Sequence, residues 1–202
     1  MLTFKNYNIA DWFSFYRIGS APFLLILLFL GERELFTWFL LISYSTDMID
    51  GFLARKLKIT SARGSQLDSL GDQLTFLIGI LGLFIFEYTF IKENYIIIII
   101  AFIPYLFQIL LAFKKYGKAT AFHTYLAKVS AFSQGVFILS ALFFGPNYWL
   151  FYFMIALGFL ETLEEIILIF MHKMWASDVK GIYWALYDKE KRDKDENKTD
   201  KR

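Results

Sequence analysis

Residues 94–113 read NYIIIIIAFIPYLFQILLAF, a twenty-residue stretch without a charge. A helix needs about 20 apolar residues to cross the hydrocarbon core of a bilayer. Ile96 to Ile100, followed by Ala101 and Phe102, offers no polar face at all. A helix of that kind is either buried or faces lipid. Five more windows of similar character flank it, at 12–31, 35–54, 65–90, 120–144 and 148–172. Several are longer than the core of a signal peptide, and they recur as far as residue 172. The polar helices that would enclose a soluble stack are missing. So is the period-two alternation of a membrane β-barrel.

The composition agrees. Of 202 residues, 57% are hydrophobic and 20% aromatic, with a mean hydropathy of +0.46. Soluble domains run nearer about 45–50% apolar. A soluble chain of this length would expose large apolar patches, which excludes a soluble enzyme, a nucleic-acid-binding module and a disordered protein together. The net charge of +2 sets up no field directed at nucleic acid. The chain has no cysteine, so disulfides, thiolate catalysis and cysteine metal sites are excluded. Its two histidines, His123 and His172, argue against a histidine-rich zinc site.

Lys and Arg in the connections give the orientation. Arg33 and Lys92 lie on one side, and the 145–148 turn has neither. The other 19 basic residues fall on the opposite side, including Arg55, Lys56, Lys58 and Arg63 in one connection and Lys114, Lys115 and Lys118 in another. The expected architecture is therefore an all-α integral membrane protein. It has six transmembrane helices, N- and C-termini in the cytoplasm, and short interfacial helices. One interfacial helix is expected from Val179, Ile182, Tyr183, Leu186 and Tyr187, which recur at helical spacing. Another is expected around Leu2 to Phe13. Residues 1–187 form one membrane domain, with no repeat or linker inside it. Residues 188–202, DKEKRDKDENKTDKR, have no hydrophobic period and read as a disordered tail.

Four aspartates sit where a membrane should exclude them. The second helix ends in Thr46-Asp47-Met48-Ile49-Asp50-Gly51-Phe52-Leu53-Ala54-Arg55, and the third begins Arg63-Gly64-Ser65-Gln66-Leu67-Asp68-Ser69-Leu70-Gly71-Asp72. A charge at mid-bilayer costs about 2.5–3.5 kcal/mol on insertion scales, so such residues face a polar cavity and have a partner. Asp47, Asp50 or Gly51, and Ala54 share one helix face, and Gly64, Asp68 and Asp72 share another. A short connection makes the two helices antiparallel neighbours, so the four carboxylates converge. Unneutralised, they would repel and at least one pKa would rise. Divalent metal is the natural partner, and an oxygen-only set favours magnesium, manganese or calcium over zinc. Two ions about 4 Å apart could bridge and polarise a diphosphate. Gly51, Ala54 and Gly64 leave room for a bulky ligand, and Arg55 could clamp a phosphate. A girdle of aspartates paired with Arg55, Lys56 and Arg63 explains two or three acids better than four. A cation transporter would place its acids near the midplane on broken helices, whereas these cluster at one membrane edge. A non-catalytic scaffold would have lost some of the aspartates.

The pattern Asp47-x2-Asp50-Gly51-x2-Ala54-Arg55-x8-Gly64-x3-Asp68-x3-Asp72 resembles the signature of the CDP-alcohol phosphatidyltransferase family, with eight fixed residues matched over 26 positions. The six-helix layout and the length resemble it too. The stretch Asp11 to Arg17, with Pro22 following, resembles the Asn-x-x-Thr-x-x-Arg start of phosphatidylglycerophosphate-synthase-like members, although Asp11 replaces the Asn and Ala10 its usual preceding Pro. The resemblance implies transfer of a phosphatidyl group from a CDP-lipid to an alcohol hydroxyl, with release of CMP. It implies that Asp47, Asp50, Asp68 and Asp72 hold two Mg2+ or Mn2+ ions and that Asp72 is also the catalytic base. Gly51, Ala54, Arg55 and Gly64 would bind the CDP moiety. The expected partners are CDP-diacylglycerol, a small or phosphorylated alcohol, membrane lipids and a second copy of the chain in a homodimer. The expected location is a bacterial inner membrane, with the site facing the cytoplasm.

The acceptor is less legible. Lys114, Lys118 and His123 in a basic connection could bind a phosphorylated alcohol such as glycerol 3-phosphate. The run resembles a Gly-Lys-x-Lys-Thr stretch in which Ala119 replaces the second Lys. Positive-inside topology or anionic headgroups explain the same charges. Glu161, Glu164 and Glu165 lie inside helix six, Glu164 about 12 Å in from His172 at 1.5 Å per residue. They could pair with Lys128 or Arg17, or hold a cationic headgroup. Inositol phosphate, serine and amino alcohols therefore stay open as acceptors beside glycerol 3-phosphate.

Overall fold

A computed structural model of the chain describes residues 9–57 and 62–187, with side chains described for 15–46, 49 and 70–187. The expected tail at 188–202, and the part of the N-terminal interfacial stretch before Ile9, lie outside the described residues. Six helices follow one another: α1 Ile9–Leu30, α2 Arg33–Leu57, α3 Ala62–Phe86, α4 Tyr88–Tyr116, α5 Tyr125–Phe144 and α6 Tyr148–Met171. Among the described residues there is no strand, only an isolated bridge between Ala121 and Ser177. Among the described residues, two helices, α4 and α5, are long and apolar enough along their length to cross a membrane, and α1 and α3 carry shorter apolar stretches at Phe15–Leu30 and Leu70–Phe86. The apolar side chains of α4 are turned outward, with Ile96, Ile100, Ile103, Leu106 and Leu110 all exposed. In water such a patch would drive association; in lipid it is the normal outer surface of a helix.

The helix ends have local causes. Gly31 follows α1 with φ +75, a left-handed conformation that L side chains rarely adopt. There the Gly31 N–H donates to Leu28 O (3.2 Å) and the Glu32 N–H to Leu27 O (3.0 Å). Two such bonds close the last turn in a Schellman cap. The expected third window, 65–90, runs past the true end of its helix. α3 stops at Phe86 and α4 starts at Tyr88, with Glu87 as the junction. The expected fifth window starts at 120, whereas α5 begins at Tyr125. Thr124 caps it, accepting from the Ala127 N–H at 3.0 Å, as an N-terminal Thr does. His123 just before it has φ +53, so the chain turns there and the helix cannot extend back.

The chain divides into two compact units: Met1–Glu93 with Gly135–Asn147, and Asn94–Gln134 with Tyr148–Arg202. In the first, α1 packs on α2 and α3, and α2 packs on α3. Its core holds Leu24, Leu28, Phe36, Leu40, Ile78, Phe137 and Leu142, all buried. Arg33 ties one end together. It pairs with Glu87, and its Nε and Nη2 donate to the carbonyls of Leu142 (2.9 Å) and Ala141 (3.1 Å), the last turn of α5. A cation at a helix C-terminus also suits the helix dipole.

The second unit is built around Ala112, Phe122, Leu168, Ile169 and Ala185. Residues 172–187 fold back as a strap over the 117–124 connection. The Asp178 N–H donates to Ala121 O (3.1 Å), and the Tyr125 N–H to Lys180 O (3.2 Å). The expected interfacial helix starts later than its spacing suggested. Among the described residues it starts at Ile182, three residues after Val179, and it buries Ala185 while Tyr183, Leu186 and Tyr187 stay exposed. Gly181, at φ +150, breaks the chain before it, and the small Ala185 is what lets the backbone approach the core.

Gly82 sets the spacing of α2 and α3. A Cβ there would lie 2.5 Å from Phe36 Cε1, and the Phe36 ring is fully buried and cannot yield. Overpacking costs about 1–3 kcal/mol, against about 1 kcal/mol that Ala gains over Gly in a helix interior. Gly82→Ala is therefore expected to lower the melting temperature of the detergent-solubilised protein, and Gly82→Leu to lower it much further. A thermal melt followed by tryptophan fluorescence checks the order.

Candidate active site

The eight motif positions fall on two helices in contact. Asp47, Asp50, Gly51, Ala54 and Arg55 lie in the last turns of α2, and Gly64, Asp68 and Asp72 in the first half of α3. At 3.6 residues per turn, each group occupies one face of its helix. The side chains of Asp47, Asp50, Asp68 and Arg55, with Gly51, Ala54 and Gly64, lie outside the described residues, so their helical backbone alone places them. Among the described residues no three acids or histidines surround a point that could hold a metal. Asp72 is the one expected ligand with a described side chain.

Asp72 is paired. Its Oδ1 accepts from Nη1 of Arg17, which reaches it from α1 across 55 positions of sequence. The pair is asymmetric, with the Arg17 side chain 1% exposed and that of Asp72 45%. The Arg17 stem lies on the backbone of α3: a Cβ on Gly71 would sit 3.4 Å from both Arg17 Cβ and Nε. Nearby hydroxyls are used locally. Thr75 Oγ1 donates to Gly71 O (2.8 Å), Ser45 Oγ to Leu41 O (2.8 Å) and Thr46 Oγ1 to Ser43 O (2.8 Å). Such back-bonding satisfies side-chain donors inside an apolar layer. The donor set as a whole, four carboxylates and no His or Cys, suits a hard divalent cation.

The expected acceptor residues lie in the second unit, on or beside the connection that follows α4. Lys114 and His123 are exposed. Lys118 sits over the Trp175 ring, its Nζ 3.6 Å from the centroid, while Trp175 Nε1 donates to Ala119 O at 3.0 Å. Lys115 donates to Ile169 O at 2.6 Å. Lys128 lies 5.6 Å from the centre of the Tyr125 ring.

Two glutamates of α6, Glu164 and Glu165, have partners that sequence reasoning missed. Glu165 Oε2 accepts from Gln108 Nε2 (2.5 Å) and Thr120 Oγ1 (2.7 Å), and Gln108 also donates to Thr120 Oγ1 (2.9 Å). Glu164 Oε1 accepts from the Ile182 N–H at 3.3 Å, capping the start of the strap helix. Arg17, considered above as a partner for these acids, is paired with Asp72 instead. The signal for Gln108 was present: it is one of only two amides in the uncharged stretch 94–113, and the one in its interior.

No solved structure matches the chain. The family model for CDP-alcohol phosphatidyltransferase matches residues 7–160, which takes in α1 to α5, the whole aspartate motif and Arg17. Members of this family are integral membrane enzymes of phospholipid biosynthesis, generally dependent on divalent metal. With Asp47 to Asp72 spaced as its signature requires and the match running over most of its length, the chain belongs to the CDP-alcohol phosphatidyltransferase family.

Proposed function

We propose that this protein transfers a phosphatidyl group from CDP-diacylglycerol to the hydroxyl of a small alcohol and releases CMP. The observation that carries this reading is the lodging of the full motif on α2 and α3, two helices in contact, in a chain of this family. Asp47, Asp50, Asp68 and Asp72 would hold two Mg2+ or Mn2+ ions, which when bound neutralise the diphosphate and polarise the phosphorus under attack. Gly51, Ala54 and Gly64 leave space along their helix faces for the CDP moiety, and Arg55 pairs with a phosphate oxygen. Asp72 takes the proton of the incoming hydroxyl. The alcohol oxygen bonds to the phosphatidyl phosphorus, the bond from that phosphorus to the bridging oxygen breaks, and CMP leaves with that oxygen. Phosphoryl transfer asks mainly for alignment and charge neutralisation, which such a constellation supplies.

The acceptor on this reading is glycerol 3-phosphate. The metals already attract the donor diphosphate, so the cations of Lys114 and Lys118 matter most for an acceptor with its own phosphate. The observation favouring it over an amino alcohol is that Glu165 is already held within the chain by Gln108 and Thr120. The protein works as a homodimer in a bacterial inner membrane, with six spans and both termini in the cytoplasm.

Three measurements test this reading. Purified protein with CDP-diacylglycerol, glycerol 3-phosphate and Mg2+ or Mn2+ should release CMP, lose that activity in EDTA and regain it on adding metal. Asp72→Asn should lose about 10²–10⁴-fold in kcat, the usual contribution of a general base, while an amide oxygen can still accept from Arg17 and keep the protein assembled. Full turnover in chelator, or near-normal turnover in Asp72→Asn, would overturn the metal or the base assignment respectively.

For the acceptor, Lys118→Ala should raise the KM for glycerol 3-phosphate about tenfold or more, since a charge-assisted contact to phosphate is worth about 1.5–3 kcal/mol. The KM for the CDP-lipid should barely change. Turnover of serine, ethanolamine or inositol phosphate in place of glycerol 3-phosphate refutes this choice of acceptor.

Topology can be read with single cysteines, because the chain has none of its own. Glu32→Cys should react with a membrane-impermeant maleimide in intact cells. Lys173→Cys should react only after permeabilisation, and the reverse pattern inverts the orientation.

A further inference from the structure

We propose that Arg17 is a positioning residue for the reaction: it fixes the carboxylate of Asp72 in the orientation the chemistry needs. The proposal rests on the phosphatidyltransferase reading above, in which Asp72 is metal ligand and base.

Arg17 is the largest fully buried side chain of the described residues, and it carries a permanent charge. Charges inside a membrane domain are costly and are kept where they have a partner and a use. The partner here is Asp72, on a helix that α1 packs against. The pair holds the carboxylate without enclosing it, because Asp72 stays 45% exposed while Arg17 is 1% exposed. A carboxylate that must meet a ligand has to stay open, and the exposed side of Asp72 meets that need. An aspartate on a helix has more than one staggered χ1 open to it, and a planar guanidinium donor selects among them more sharply than an ammonium does. Arg17 itself lies against α3 at Gly71, the residue before Asp72, where a Cβ would sit in van der Waals contact with it, 3.4 Å from Arg17 Cβ and Nε. Anchor and target are thus neighbours on one helix, which leaves the guanidinium little freedom to drift.

The test compares Arg17→Met, Arg17→Lys and wild type in detergent. CMP release gives kcat and KM, and electron paramagnetic resonance gives Mn2+ affinity without lipid. Misplacing a reacting group by about 1 Å can cost about 100-fold in rate. Arg17→Met should therefore lower kcat about ten- to a hundredfold, with the KM for CDP-diacylglycerol within about twofold. Its Mn2+ affinity should be equal or tighter, because a cation beside the carboxylates is gone. Arg17→Lys should recover part of the lost kcat and stay about three- to tenfold below wild type, because an ammonium orients the carboxylate less sharply than a guanidinium. Three results overturn the proposal: kcat of Arg17→Met within twofold of wild type, a KM for the CDP-lipid that rises with kcat kept, which would place Arg17 on the donor phosphates, or Mn2+ affinity that falls together with melting temperature, which would make its role structural. If Arg17→Met does not assemble, Arg17→Lys decides. A kcat lowered about three- to tenfold at unchanged KM and Mn2+ affinity supports the proposal, and an unchanged kcat overturns it. Wild type that releases no CMP with any alcohol refutes the function reading. The Mn2+ affinities then judge the pair alone, with weaker binding in Arg17→Met counting against it.

Discussion

A carboxylate at the edge of a bilayer has to be given a counter-charge, and the first unit is organised around one such pairing. Arg17 leaves α1 and reaches Asp72 on α3. To bury the guanidinium there, α1 lies close along α3, and Arg17 passes the small residue Gly71 at the approach. The hydroxyls of Ser20 and Ser43 meet at 3.5 Å between α1 and α2, and Phe36 of α2 closes on Gly82 of α3. The three helices that carry the motif and its partner are thus fixed to one another by small residues and a few polar contacts. That is how helices associate where lipid gives no hydrophobic drive.

The same economy runs through the polar groups away from the motif. Arg33 gathers Glu87 and the last carbonyls of α5 into one knot. Gln108, Thr120 and Glu165 form a closed set of hydrogen bonds in the second unit. Each removes a polar group from contact with an apolar surrounding, where an unmade bond costs several times what a made one gains. Glu164 Oε1 receives the Ile182 N–H that a helix start leaves open, while its buried Oε2 has no hydrogen-bond partner.

Much of this was legible in the sequence. The apolar runs located six helices, because a stretch such as Ile96 to Phe102 has one physical reading. The aspartate spacing singled out a candidate site, and its eight positions fall on α2 and α3, which are in contact. Helix ends were harder to read. Hydropathy does not change at Glu87 or at Thr120–Thr124, where a junction residue, a left-handed His123 and a capping Thr124 decide the boundary. The pair of Arg17 with Asp72 was hidden for another reason. The partners lie 55 residues apart, and periodicity reports the face a residue occupies, not what stands opposite. The partners of Glu164 and Glu165 were hidden likewise, one of them being a backbone N–H that no side-chain pattern reveals.

The strap adds a feature outside the family match, which ends at residue 160. Trp175 donates to Ala119 O and stacks under Lys118, the Asp178 N–H reaches Ala121 O, and Lys180 O receives the Tyr125 N–H. The 117–124 connection, which carries Lys118, is thus held by a segment beyond the residues matched to the family. Glu164 holds the start of the strap helix, and Glu165 holds Thr120 of the connection, so one turn of α6 controls both partners of this contact. A family signature can specify how a donor is bound and activated, because that chemistry is shared. The conformation of Lys118 depends instead on Trp175 and the two glutamates before it, residues particular to this part of the chain.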